Sequence, residues 1–183
     1  MLRLALIALV VVVGALAALT LVPARRATVP EALISLTGTT VALYPRADPE
    51  AVWRFSAPSV SYNPSRRETT LIDITDGRRM VNDLTDFTLA SDRIVIDRSD
   101  NLRGETIRAH LVEDEIDLLM QARGERTVLI NQSSARFEVP RAIMSGPDMG
   151  ESVFEDMRIS FDFTEFEAGG PGTVGYAEFI IRE

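Results

Sequence analysis

Two hydrophobic patterns divide the chain. Residues 4–22 are apolar on every helical face, interrupted only by Gly14 and Thr20. At about 1.5 Å per residue, a helix of this length reaches roughly 28 Å, close to one hydrocarbon core. From Val52 onward the period is two. Trp53, Phe55 and Ala57 alternate with Arg54 and Ser56, and Ile107, Ala109 and Leu111 alternate with Arg108 and His110. Ala135, Phe137 and Val139 alternate with Arg136 and Glu138, and Ile159, Phe161 and Phe163 alternate with Ser160 and Asp162. Such alternation places apolar side chains on one sheet face and polar ones on the other, as in antiparallel sheets with one buried face.

Turn signals punctuate these runs at Asn63-Pro64-Ser65, Asp76-Gly77, Ser99-Asp100-Asn101, Arg123-Gly124, Ser145-Gly146-Pro147 and Gly169-Gly170-Pro171-Gly172. Strands are predicted to begin near 52, 69, 86, 93, 106, 116, 127, 135, 157 and 174. Short strands at roughly 8–12-residue spacing predict a sandwich, a barrel or an open β-roll. No long stretch has helical periodicity, and 114–122 is the one segment where a short helix remains open. The expected layout is a membrane anchor or signal segment at 1–26, a linker and domain entry at 27–49, and one β domain at 50–183.

The flanks of the apolar segment fit two readings. It is long enough for an uncleaved single-span anchor. Ala15-Leu16-Ala17 and Val22-Pro23-Ala24 also satisfy the small-residue pattern of a cleaved signal peptide. Length favours the anchor. Arginines on both sides, Arg3 before and Arg25 and Arg26 after, leave the orientation to other evidence.

Charge sharpens the boundary. The first acidic residue is Glu31, and the whole chain carries −8, so setting aside the three flanking arginines leaves −11 for residues 27–183. A domain of that charge repels polyanions and lacks the basic footprint of a nucleic-acid binder. There is no cysteine, so neither disulfides nor thiolate metal sites hold the fold, and anchoring through an acylated cysteine is excluded.

Catalytic chemistry is sparse. His110 is the only histidine, and on the strand register it shares a polar face with Arg108. A catalytic histidine needs a nucleophile and an orienting acid, and no G-x-S-x-G elbow, P-loop or dinucleotide fingerprint is present. Asp97, Asp100, Asn101 and Glu105 surround one turn, and Asp73, Asp76, Asp83 and Asp86 surround Asp76-Gly77. Oxygen ligands at that density can hold calcium, but the spacing is not that of an EF-hand, so turn stabilisation and solvated loop charge are the expected roles. Gly169 to Gly172 lacks the lysine of a phosphate loop and is expected as a hairpin turn. Asn131-Gln132-Ser133 matches a glycosylation sequon. The reading therefore carries no catalytic residue, no metal and no cofactor.

The aromatic residues are more informative. Trp53, Phe55, Phe87, Phe137, Phe161 and Phe163, with Ile107 and Ile159, form the candidate inward apolar face. They serve either as an ordinary core or as the lining of an opening for acyl chains, because periodicity puts the same residues inward in both cases.

The run Val52-Trp53-Arg54-Phe55-Ser56-Ala57, continuing through Tyr62-Asn63-Pro64 to Thr70-Leu71-Ile72-Asp73, resembles the first strands of LptC-like domains, and Asp86-Phe87-Thr88-Leu89-Ala90-Ser91 looks like the next repeat. With the N-terminal span and the cysteine-free β body, this layout is similar to the periplasmic lipopolysaccharide-export family. It is also similar to the wider LptA and OstA-type family that shares the β-taco or jelly-roll fold. The resemblance implies a single all-β domain, an antiparallel open β-roll preceded by one N-terminal transmembrane helix. It implies no catalytic motif. It implies an envelope lipid held by its acyl chains, with inner-membrane ABC transporter subunits as donor and a periplasmic β-fold bridge protein, reached by strand addition, as acceptor. The implied location is the inner membrane, single-pass, with the β domain in the periplasm. Two other classes stay open: an envelope β module that binds protein through loops or strand edges, and an exported hydrolase depending on His110.

Overall fold

A computed structural model of the chain describes residues 34–147, 149–169 and 177–180. The apolar segment at 4–22, and with it the expected transmembrane helix or signal peptide, lies outside these residues. Among the described residues no helix is long and apolar enough to cross a membrane.

The described chain is all-β. Its strands are β1 (Ile34–Leu43), β2 (Ala51–Asn63), β3 (Glu68–Val81), β4 (Leu84–Ile96), β5 (Leu102–Gly104), β6 (Thr106–Leu111), β7 (Ile116–Gln121), β8 (Val128–Asn131), β9 (Arg136–Gly146), β10 (Met149–Ser160), β11 (Glu165–Ala168) and β12 (Ala177–Ile180). Every pairing is antiparallel, and all belong to one sheet. The path runs β1-β2-β3-β4, then through β5-β8 at one level and β6-β7 at the other, to β9-β10-β11-β12. It is a meander in which the two broken strands β5/β6 and β7/β8 fill the middle.

A line of irregularities crosses this sheet. The inward positions of β2 run Trp53, Phe55, Ala57 and then Val60; those of β4 run Phe87, Leu89, Ser91 and then Ile94, Ile96. In β9 they run Phe137, Val139 and then Ala142, Met144. Each strand thus slips by one residue in its in-out phase. The slips are aligned: Ser59 faces Ile72, Ile72 faces Arg93, and Met157 faces Val139. Positive φ at Gly38, Asp73 and Asp156 marks the same line in β1, β3 and β10, and Pro140 marks it in β9. Bulges bend strands and increase twist, so an aligned row of them creases the whole sheet.

The crease lets the sheet fold over its apolar face. Trp53 on β2 and Gln132 after β8 are four strand steps apart along the sheet, about 19 Å at the usual spacing, yet their side chains are hydrogen-bonded. Arg46, before β2, likewise reaches Asp100 and the Arg98 carbonyl beyond β4. The result is one continuous core containing Trp53, Phe55, Leu71, Phe87, Ile94, Leu118, Met120, Ile130 and Phe137.

Several expected boundaries move. The segment expected as linker and domain entry, 27–49, carries β1. The two strands expected near 86 and 93 are the single strand β4, split in the pattern by its phase slip. Asp76-Gly77 is not a turn but lies inside β3. A Cβ on Gly77 would sit 2.6 Å from Leu89 Cδ1, so the residue allows close packing of β4. The turn falls instead at Asn82-Asp83, both at positive φ (50° and 64°), the conformation of a type I′ hairpin. The segment where a short helix stayed open contains β7. Ala135, expected on a strand, is an exposed turn residue at φ 49°. Strand β10 ends at Ser160, so Phe161 and Phe163 occupy the following turn, with Phe163 at φ 57°. Part of the expected hairpin turn at Gly169 to Gly172 lies outside the described residues.

Candidate functional site

The sequence-derived face converges in the interior. Trp53, Phe55, Phe87, Ile107, Phe137, Ile159 and Phe161 are all buried, and Phe163 is half-buried against the same core. Four of them form a ring cluster. Trp53 meets Phe87 edge-on at 5.1 Å, Phe87 lies 5.2 Å from Phe137, and Phe161 closes the group at 5.7 Å from Phe87 and 5.0 Å from Phe137. Phe55 stacks on Trp53 at 5.8 Å. Tilted and edge-on pairs at these separations add about 0.5–1.5 kcal/mol each beyond burial. The rings come from β2, β4, β9 and the β10–β11 turn, so the cluster is where the folded layers of the sheet meet.

Sequence reasoning missed the charge at its centre. One cross-strand row reads Leu43, Trp53, Arg79, Phe87, Leu111 and Ile116, in register across β1, β2, β3, β4, β6 and β7. Arg79 is the one polar member, and it is only 6% exposed. Its guanidinium donates to Asp86 on β4 and to Asp48 in the β1–β2 loop. It also lies over Phe161, 4.8 Å from the ring centroid, and 5.7 Å from that of Phe87. Its Nε is buried without a partner. An inward arginine next to two carboxylates is costly unless paired, and here both terminal nitrogens are paired while the plane rests on an aromatic face. Asp86 belonged to an acidic set in the sequence; its link to a buried arginine was the missing signal.

Arg79, Phe161 and Asp86 line a cleft of about 520 Å³ between the β3–β4 layer and the β9–β11 layer. Across the cleft Arg136 pairs with Glu165. The rim is shaped by Asp162, which accepts from Ser160 Oγ at 2.5 Å and from Thr164 N and Oγ1 at 3.1 and 2.9 Å. Partial burial pushes the Asp162 carboxyl up, but these hydrogen bonds outweigh it and hold the group below its usual range.

The remaining candidates resolve into local structure. His110 Nδ1 lies 2.9 Å from Asp117 on the neighbouring strand; the histidine is half-buried and the aspartate is exposed. Asp97 accepts from Ser99 N and Asn101 N and pairs with Arg103 at 3.2 Å, while Asp100 pairs with Arg46 at 3.0 Å, so this acidic set builds its turn. Asp76 pairs with Arg78 on the outer face, and Asp86 turns to Arg79. Among the described residues no cluster of three or more His, Cys, Asp or Glu could hold a metal ion. Asn131, the sequon residue, accepts from Ser133 N and Ser134 N in an Asx turn.

The edges differ from the interior. Among the described residues β1 and β12 end the strand path. The first half of β1 is solvent-exposed, including Ile34 (55%) and Leu36 (50%), with Tyr62 exposed beside Ile34 on β2. No family model matches the chain, and no curated protein matches it.

Proposed function

We propose that the chain is a non-enzymatic, membrane-tethered envelope protein that carries lipid between the layers of its folded sheet. The observation that carries this reading is one antiparallel sheet creased over a contiguous aromatic face, with a cleft opening where its layers meet. In this reading the segment at 4–22 is a single transmembrane helix in the inner membrane. The β domain is an open roll of the β-taco type on the periplasmic side, and the client is an envelope lipid of lipopolysaccharide class. Its acyl chains supply the affinity, at about 0.8 kcal/mol per buried CH₂, because an acidic domain attracts no phosphorylated head group. Inner-membrane ABC transporter subunits deliver the lipid, and a periplasmic β-fold protein receives it by strand addition. The exposed apolar residues of β1 support that last step, since an edge strand offers unpaired backbone groups as a template.

A second reading is a structural envelope module that binds protein alone. It is favoured by the ring cluster itself, whose members touch one another and fill the space between the layers. Native mass spectrometry of the detergent-extracted full chain separates the two. Co-purified lipid supports the carrier; protein free of lipid supports the module.

A further inference from the structure

We infer that Arg79 is a gate between the cleft and the aromatic interior, and that the ligand it admits is the aliphatic chain of an amphiphile. The inference rests on the carrier reading above and names its point of entry. Three observations lead to it. First, the cross-strand row Leu43, Trp53, Arg79, Phe87, Leu111, Ile116 is apolar at every other position. A leucine or methionine in the middle would fill the space without any burial of charge, and exchanging buried ion pairs for apolar residues is often neutral or stabilising. Packing alone therefore does not call for an arginine.

Second, the guanidinium separates two environments. On one side are the rings of Phe161 and Phe87; on the other is the cleft of about 520 Å³. The Phe161 backbone N–H donates to the Ala135 carbonyl at 2.8 Å, which fixes the turn that carries the ring, while Arg79 reaches the ring only through the end of a long side chain that can swing away. Arginine has a long flexible stem and a head that is stable in water. Swinging outward, it would bare the faces of Phe161 and Phe87 and open a way from the polar-rimmed cleft to the apolar interior. A leucine or phenylalanine plug has no such second resting place.

Third, what holds the gate shut is weak enough to exchange. Asp48 and Asp86 are 26% and 33% exposed at their side chains, so water already reaches the carboxylates and can take over their bonds. The buried Nε has no partner to lose. Closing is then a matter of two charge-assisted hydrogen bonds and one cation–π contact, against the apolar gain of an inserted chain.

Trp53 is the sole tryptophan and the cross-strand neighbour of Arg79. It reports directly on an inserted chain. The test titrates 9,10-dibromostearate into the full chain held in phosphatidylcholine nanodiscs and follows Trp53 fluorescence, with unbrominated stearate as the blank. D48N and D86N each keep side-chain size but take the negative charge out of one guanidinium contact, leaving at most a weaker, neutral hydrogen bond. A ligand that binds a minor open state gains apparent affinity in proportion to that state's population. The expected result is quenching in the wild type, with half-quenching at about tenfold lower dibromostearate in each variant. Equal quenching curves in wild type and variants overturn the gate and leave the carrier reading standing. No quenching in any of the three, with melts unchanged, overturns both. Thermal melts identify a variant that has lost its fold, and either variant alone decides the question.

Discussion

Trp53 on β2 donates its indole N–H to Gln132 Oε1 at 3.2 Å, joining two parts of the sheet that are four strand steps apart. Gln132 is itself placed by its backbone N–H, which donates to Asn101 Oδ1 at 3.0 Å. The bond is a direct reading of the fold-over. In Q132L the indole donor is left buried and unpaired, which costs about 1–3 kcal/mol. The Gln132 Nε2 is also buried without a partner, so its removal offsets part of that loss. The net loss is expected near 1 kcal/mol. Urea unfolding followed by Trp53 emission measures it, and an unchanged midpoint would contradict the bond.

Phe87 is the hub of the ring cluster, touching Trp53, Phe137 and Phe161 and lying beneath Arg79. Its truncation in F87A removes contacts to both layers at once. The expected loss is about 3–5 kcal/mol, read by chemical denaturation. A loss below about 1 kcal/mol would mean the layers are not packed as described.

Gly77 tests the crease from the other side. In G77A the new methyl meets Leu89 Cδ1 and Cγ and approaches the Leu89 carbonyl oxygen, which is backbone. Overpacking of this kind costs about 1–3 kcal/mol. Because the contact is with Leu89, the G77A/L89A pair should lose less than the sum of its single changes. Strict additivity would show that the two positions do not touch.

Asp162 gives the domain an acid-sensitive contribution. Its folded-state carboxyl is held below the ordinary value of 3.8. The folded state therefore binds that proton less readily than the unfolded state. Its stabilisation is complete above the unfolded value and is lost as pH falls through the lower folded value. Between wild type and D162N, the stability difference should be constant from pH 7 to about 5 and shrink below about 4. Thermal melts across that range measure it; a difference that grows on acidification would reverse the sign.

Leu36 on β1 separates partner binding from folding. It is half exposed, so L36K should change stability by no more than about 0.5 kcal/mol. A lysine on an edge strand discourages strand addition. If β1 carries the proposed strand addition, capture of a β-fold envelope protein by the full chain should fall while the melt is unchanged; capture equal to wild type would rule this edge out as the docking strand.

The parts of this fold legible in the sequence are those with an unbroken period of two. Trp53, Phe55 and Phe87 stand inward as their alternation requires. The pattern misleads where the phase slips: Ser91 and Ile94 both face inward, so one strand reads as two. β1 stays hidden because most of Ile34–Leu43 is exposed and the strand imposes little apolar selection. Gly77 reads as a turn because its role, making room for Leu89, depends on a strand that pairs only in three dimensions. Arg79 is invisible for the same reason. An arginine in an alternating strand reads as outward-facing, and only pairing with Asp48 and Asp86, 31 and 7 residues away, turns it inward.

In the proposed carrier, acyl chains admitted past Arg79 come to lie against Phe137 and Phe161. A photo-crosslinking amino acid placed at either position in the full chain, activated in cells, tests it most directly. A lipid adduct is expected at both positions and none at the exposed Val153 on β10. Adducts to protein alone, or none at the two interior positions, would contradict it.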